Sequence, residues 1–324
     1  MVNEPKMHHY IPEFYLSGFT PSRNKDDYLY VFDITNGENF KVRPKNIGKQ
    51  KDYYKLDADD IDPYIVEKVF STIESGTAPV LKRTIKENKL PLGEDFKILI
   101  YFLALLSMRT PSFRKIITNL LKDMASMTAQ LTFSTKERYE AIVAQMKNDG
   151  KELNDNISYE EMKKFIDSDR YDIKVSKNWQ VYWILEAVDI ILPKLHERNW
   201  SLVKINDSSL GNFICSDRPV SLTWVNENKS FWGPGFGLED TILLMPLSSR
   251  FSLLGMFERT KKRIKADLRT ISDFNSRIGL VAERFIYSTK NRFNYMKPDG
   301  KIGDSDYLME QYRKKKNRDS NAVD

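Results

Sequence analysis

YLYVFDITNGENFKV, residues 28–42, is the stretch whose reading decides the fold class. Tyr28 to Thr35 alternates in part between apolar and polar side chains. Asn36-Gly37 supplies a pair that tolerates positive φ, and Phe40-Lys41-Val42 resumes the alternation. Period-two patterning interrupted by such a pair predicts an antiparallel β-hairpin. Tyr53 to Leu56 is read as a further short strand, so residues 1–60 form a β segment of the core.

Beyond Asp62 the period changes. Pro63 suits a first helical turn, and Val66, Val69, Phe70 and Ile73 recur at helical spacing, with Glu67 and Glu74 about two turns apart on a common flank. Gly76 is read as the end or an interruption of that helix. Glu94 to Met108 is apolar nearly all round, which marks a helix buried inside the domain, and Pro111 then biases Thr110 away from helical geometry. Two polar helices follow, Lys136 to Lys147 closed by Gly150, and one opened by the capping-box spacing Ser158-x-x-Glu161. Asn178 is read as the cap of an amphipathic helix with Val181, Ile184, Val188, Ile191 and Leu195 on one stripe.

After Arg198 short strands return at 200–205, 213–216, 221–225, 241–245 and 251–257, then a helix near 267–280 and a strand at 285–287. Strands at both ends with helices between predict an α+β fold. Its mixed, mainly antiparallel sheet is built from N- and C-terminal segments, with a central helical insertion. The expected boundaries are 1–60, a helical region at 61–198, a completing β/α segment at 199–290 and a flexible basic tail at 291–324.

Hydrophobic residues make up 41% and charged residues 30%, a balance that buries a core under a solvated surface. The longest apolar run, Ile98 to Leu106, is about half of the roughly 20 residues a membrane-spanning helix needs. The start MVNEPKMHHY has charged groups and histidines where a signal peptide carries an apolar stretch. Cys215 is the one cysteine, which excludes an intrachain disulfide and a cysteine zinc cage and fits a cytoplasmic location. The net charge of +6 favours anionic partners, nucleic acid foremost, although part of the excess lies in the run Arg313 to Arg318.

Two of the three histidines, His8 and His9, are adjacent. Imidazole binds metals and shuttles protons near neutrality. Neighbouring side chains diverge on a strand or a helix, so one of the pair enters a given site and the other supports it. Packing at the start of the fold is the competing use of both. Asp217 follows the strand 213–216, where a carboxylate projects from a rigid scaffold as a metal ligand or general base, or bonds its own turn. Arg109 directly follows the buried helix. There it complements the helix C-terminus or, beside carboxylates, grips a phosphate through two hydrogen bonds. Glu74 is an inner carboxylate or a surface one. Cys215 reads as a small buried hydrophobe, Glu13 as a solvated turn residue, and Gly233-Pro234-Gly235-Phe236-Gly237 as a loop without phosphate-loop spacing.

Several short motifs together resemble a widespread bacterial family, domain of unknown function 4238. They are His8-His9-Tyr10-Ile11-Pro12-Glu13-Phe14-Tyr15-Leu16, Ile73-Glu74, Arg109-Thr110-Pro111, Phe213-x-x-Ser216-Asp217-x-Pro219-Val220 and Pro246-Leu247-Ser248. Cys215 and Arg218 depart from the small polar residue and Asn expected at those flanks, which puts the flanking side chains in doubt but not Asp217. Members are similar to proteins of anti-phage defence, so the resemblance implies a toxic effector, with nucleases common among such effectors. The expected activity is a nucleic-acid phosphodiesterase acting on RNA or DNA. In it His8 or His9, Glu74, Arg109 and Asp217 are catalytic, and Tyr10, Arg109 and Ser216 bind substrate. His9, Glu74 and Asp217 hold Mg²⁺ or Mn²⁺, since carboxylates with few imidazoles suit hard cations. A metal-free variant uses His as acid or base and Arg109 as electrostatic stabiliser. The alternative is a sensor module binding a nucleotide, nucleic acid or phage component without turnover. A second copy of the chain or a defence-system protein is a further expected partner, and a membrane is not.

Overall fold

The computed structural model describes residues 7–57, 60–150, 157–168, 170–226 and 233–321. In chain order the elements begin β1 (Met7–His9), α1 (Glu13–Leu16), β2 (Leu29–Asp33), β3 (Glu38–Val42), β4 (Lys49–Lys51), α2 (Ile65–Glu87), α3 (Gly93–Met108), α4 (Pro111–Thr132), α5 (Lys136–Asn148), α6 (Tyr159–Asp167) and α7 (Lys177–His196). They continue with β5 (Asn199–Lys204), β6 (Cys215–Ser216), β7 (Ser221–Trp224), β8 (Thr241–Ser248), β9 (Phe251–Met256), β10 (Arg263–Lys265), α8 (Leu268–Val281), β11 (Phe285–Ser288), β12 (Asn294–Met296), β13 (Ile302–Asp304) and α9 (Ser305–Asn321). The fold is α+β. The chain forms two units, residues 1–113 with 184–324, and residues 114–183.

In the first unit the hairpin forms as its sequence dictates. β2 and β3 pair antiparallel from Leu29↔Val42 to Asp33↔Glu38, and Gly37 takes φ +73°. The Asp33 carboxylate accepts from the backbone N–H groups of Thr35 and Asn36 at 3.0 and 3.1 Å, which closes the turn. β11 pairs with the other side of β2, and β6 with β11, so the four-stranded sheet β3-β2-β11-β6 joins the two ends of the chain. The remaining C-terminal strands do not extend it. Five strands form a second sheet, β10-β5-β9-β8-β7, antiparallel except for β10 with β5, and β12 and β13 pair antiparallel as a separate two-stranded sheet. The expected single sheet is thus divided. Phe32 and Ile286 of one sheet share a core with Val203 and Leu244 of the other and Ile271 of α8, so the division lets two apolar sheet faces bury against common partners.

Four local expectations are corrected. β1 pairs with β4, in register His8↔Gln50 and His9↔Lys49, and the strand expected at 53–56 is instead a turn that buries Tyr53 and Tyr54. α2 continues through Gly76 and Pro79 and ends where Asn88 adopts left-handed geometry, φ 53°. Asn178 lies inside α7, and Ser176 accepts from Trp179 N–H at its start, 3.3 Å. Residues 291–321 of the expected tail are folded, with Phe293, Tyr295 and Met309 in the core.

α3 is buried along its apolar length, as its composition requires. Thr110 ends it and accepts from Phe113 N–H at 3.3 Å, while Pro111 takes the first position of α4. The same dipeptide therefore stops one helix and starts the next. In the second unit Ser158 and Glu161 form the expected capping box, and the rings of Phe133, Tyr139 and Tyr159 pack at 5.2 and 5.7 Å. No single described helix is long and apolar enough to cross a membrane.

Candidate functional site

Alternation along β1 separates the two histidines. His8 is fully buried. Its Nδ1 accepts from the Tyr54 backbone N–H at 2.9 Å, and its ring stacks on Tyr54 and meets the edge of Tyr64, with centroids 6.0 and 5.9 Å apart. A ring fixed in this way supports the start of the fold. His9 faces elsewhere, with its side chain 19% exposed and Nε2 3.8 Å from Glu13 Oε1. Burial holds its pKa below the usual value; Glu13 pulls the other way, and Lys49 and Arg109 add to the depression. The ring also hydrogen-bonds the Lys45 backbone carbonyl, while Nε2, shielded from solvent, has no partner among the described residues. A neutral imidazole donating through one nitrogen keeps a lone pair on the other, so Nε2 is a free base.

Arg109 is the hub of the site. It caps α3 at the Thr110-Pro111 break and is fully buried. Its Nε donates to the Tyr10 carbonyl at 2.9 Å, its Nη1 to Glu74 Oε1 at 2.8 Å, and its guanidinium lies 5.7 Å from the Phe70 ring centre. Nη2 has no partner. Three of the side chains around it, Glu67, Phe70 and Glu74, come from one stripe of α2. Glu67, Phe70, Glu74, Thr77 and Leu81 recur at three- and four-residue spacing, and the seven residues from Glu67 to Glu74 advance the helix by about 10 Å. Burial, together with the neighbouring Glu74 carboxylate, pushes the Glu67 pKa up to about 7 against the pull of Arg109. Its Oε2 is buried and has no hydrogen-bond partner among the described residues. One guanidinium thus has around it a free base, a carboxyl half-protonated near neutrality and the Glu74 side chain it already bonds, with one donor unspent.

Asp217 is placed differently. Its Oδ1 accepts from Glu283 N–H at 2.9 Å, and its Oδ2 from Arg284 and Phe285 N–H at 2.7 and 3.0 Å. Burial raises its pKa even against these three bonds. The carboxylate fastens the loop between α8 and β11 to the end of β6, and is neither an Asx turn nor an open ligand. The Ser216 hydroxyl is taken up within its own turn, donating to Arg218 O at 2.8 Å. Tyr10 links the two regions: its carbonyl meets Arg109, and its buried ring lies near Asp217 and 5.9 Å from Tyr53. Among the described residues no three His, Cys, Asp or Glu side chains are placed to hold a metal ion, so the expected trio of His9, Glu74 and Asp217 is not assembled.

Of the expected site residues, His9, Glu74, Arg109 and the Tyr10 carbonyl come together, while His8, Asp217 and Ser216 serve the scaffold. Glu67 and Glu13 join the first group although neither is among the residues expected from sequence to form the site. The seven-residue spacing of two glutamates flanking Phe70, and the His9/Glu13 spacing of four, are the signals that find them. Cys215 is buried, with its thiol pKa pushed up to about 12 by burial, in keeping with a packing role. His196 lines a separate, largely apolar pocket of about 360 Å³ with Ile73, Gly76, Ile98, Tyr101 and Leu192.

These features define an α+β protein with a buried His–Arg–Glu cluster gathered from its N-terminal arm and two helices. The chain belongs to the family described as protein of unknown function (DUF4238), whose model matches residues 7–292. No curated protein and no solved structure matches it.

Proposed function

We propose that the protein is a phosphodiesterase acting on nucleic acid, a bacterial defence effector whose chemistry is carried by His9, Arg109 and Glu67. The observation that supports this most directly is the set of three shielded, unpartnered polar atoms, His9 Nε2, Arg109 Nη2 and Glu67 Oε2, in one electrostatic cluster. Buried polar atoms are ordinarily satisfied, and a group of exceptions is accounted for when a ligand supplies the missing bonds. A phosphodiester does so: a non-bridging oxygen accepts from Nη2, a water donates to Nε2, and the leaving oxygen accepts from a protonated Glu67.

In the step itself Nε2 takes the proton of the attacking water as its oxygen bonds phosphorus. The P–O bond to the leaving group breaks, and Glu67 protonates that oxygen. Arg109 stabilises the charge on the phosphoryl oxygens. Transfer of the His9 proton back to the Glu67 carboxylate, through solvent, restores the site, and one water is consumed. Glu74 holds the guanidinium in place. The protonation order is favourable: His9 is neutral above its depressed pKa, and Glu67 is protonated up to about 7. The rate is therefore bell-shaped in pH, with an acidic limb below 6.5 and an alkaline limb near 7.

The test is incubation with RNA, single-stranded DNA and duplex DNA in Mg²⁺, Mn²⁺ or chelator. Wild-type protein is expected to cleave at least one of them with chelator present, and His9→Ala to lower the rate by about 10²–10⁴-fold. No cleavage under any condition, or an unchanged rate in His9→Ala, overturns the proposal. Retained binding without cleavage would point to the sensor.

A further inference from the structure

The segment from Lys41 to Lys55 carries six basic residues against a single acidic one, Asp52, a large share of the whole chain's excess of +6. Lys41 and Arg43 share one face of the edge strand β3 and its continuation, and their heads lie over Tyr30 and Tyr28, 4.8 and 4.9 Å from the ring centres. Tyr28 keeps 45% of its surface exposed. The chain then turns through Pro44–Asn46, where the Lys45 carbonyl holds the His9 ring, and enters β4, where Lys49 stands opposite His9 and Lys51 opposite Met7. Lys41, Lys45 and Lys51 are exposed. Elsewhere Lys68, Arg83, Lys97, Lys122, Arg277 and Lys314 each face a carboxylate within ion-pair distance. Among the described residues none of Lys41, Arg43, Lys45, Lys49 and Lys51 does, and the buried Nε of Arg43 has no hydrogen-bond partner.

We infer that this strip is the track of a single-stranded nucleic acid, with its phosphates along Lys41, Arg43, Lys45 and Lys51 and an unpaired base on Tyr28. The direction of the track, towards His9, rests on the phosphodiesterase reading above. Unneutralised cations in a row fit a polyanion rather than a single charged ligand, and their fields add along a line that passes the His9 imidazole. The aromatic ring decides between strands. Bases in a duplex are stacked on one another and offer no face to Tyr28, whereas a single strand offers one at every nucleotide.

Binding is measured by fluorescence anisotropy with labelled 12-nucleotide single strands, both RNA and DNA, and with a duplex of equal length, over a range of salt. The full chain carrying His9→Ala is used so that the probe survives. At least one single strand is expected to bind tenfold or more tighter than the duplex. The triple variant Lys41→Gln, Lys45→Gln, Lys51→Gln is expected to lose tenfold or more and to lower the slope of log K against log salt by about 2, near 0.7 for each phosphate contact removed. Tyr28→Ala is expected to narrow the preference over duplex. Absence of single-strand binding at low salt, equal binding of the duplex, or an unchanged slope in the triple variant overturns the track. The two proposals fail separately. Cleavage with an unchanged salt slope leaves the phosphodiesterase standing without the track, and salt-dependent single-strand binding without cleavage leaves the track without the phosphodiesterase.

Discussion

Asp217 and the Arg109 cluster are two buried polar sites in the same unit, and they are built to opposite rules. Every oxygen of Asp217 is spoken for by the backbone of residues 283–285, whereas the cluster of His9, Glu67, Glu74 and Arg109 keeps three shielded atoms with no hydrogen-bond partner among the described residues. Both are gathered from motifs distant in sequence, so gathering does not distinguish them. Satisfaction does. A polar group whose bonds are all made by the chain stabilises the fold, and one with bonds left over is set for something the chain does not contain.

The widest gap between them is in stability. Asp217→Ala strands three buried backbone donors, each worth about 1–3 kcal/mol when left unmade, so a loss of about 3–6 kcal/mol is expected in urea denaturation at pH 7. If Asp217→Ala keeps its stability and loses cleavage, the contrast collapses and Asp217 belongs with the reacting groups. Arg109→Met is the next largest. It leaves Glu74 beside Glu67 with no guanidinium between them, at a cost of about 3–5 kcal/mol. A compensating Arg109→Met, Glu74→Leu pair should recover much of that stability while leaving cleavage abolished. Full recovery of activity by the pair would remove Arg109 from the chemistry.

The same contrast explains what the sequence made legible. The hairpin at Asn36-Gly37, the capping box at Ser158 and the buried helix 94–108 are local, since each follows from residues within a turn or two of one another. The separation of the two larger sheets is not local. It depends on Phe32, Val203, Leu244 and Ile286 finding one core, which no periodicity encodes. In the site, the divergence of His8 from His9 follows from strand alternation alone, and Arg109 and Glu74 stand in recognisable motifs. Asp217 carried an equally good motif, yet its role turns on three amides 66 to 68 residues away along the chain. Glu67 was visible only as the flank of a helix, because a pattern of apolar residues is blind to a carboxylate in the inward stripe. Val69, assigned to that stripe, is 46% exposed.

Glu67 also gives the subtlest test. Its unfolded pKa lies near 4.5 and its folded pKa at about 7. Below 4.5 it is protonated in both states and contributes nothing to pH dependence. Between the two values the unfolded chain has released a proton that the folded protein still holds, so stability falls as pH rises and levels off above about 7. Glu67→Gln has no proton to lose. Since Glu67 is part-exposed and solvent screens the burial penalty, a gain of about 1–2 kcal/mol over wild type is expected at pH 8, and none attributable to ionisation at pH 4. The same variant should cleave more slowly and lose the alkaline limb of its rate profile, because the group that deprotonates there is gone. A structural carboxylate yields the first result without the second. Stability rising at pH 8 with the limb still in place would move Glu67 to the side of Asp217, among groups that hold the fold, and leave His9 and Arg109 to find their acid elsewhere.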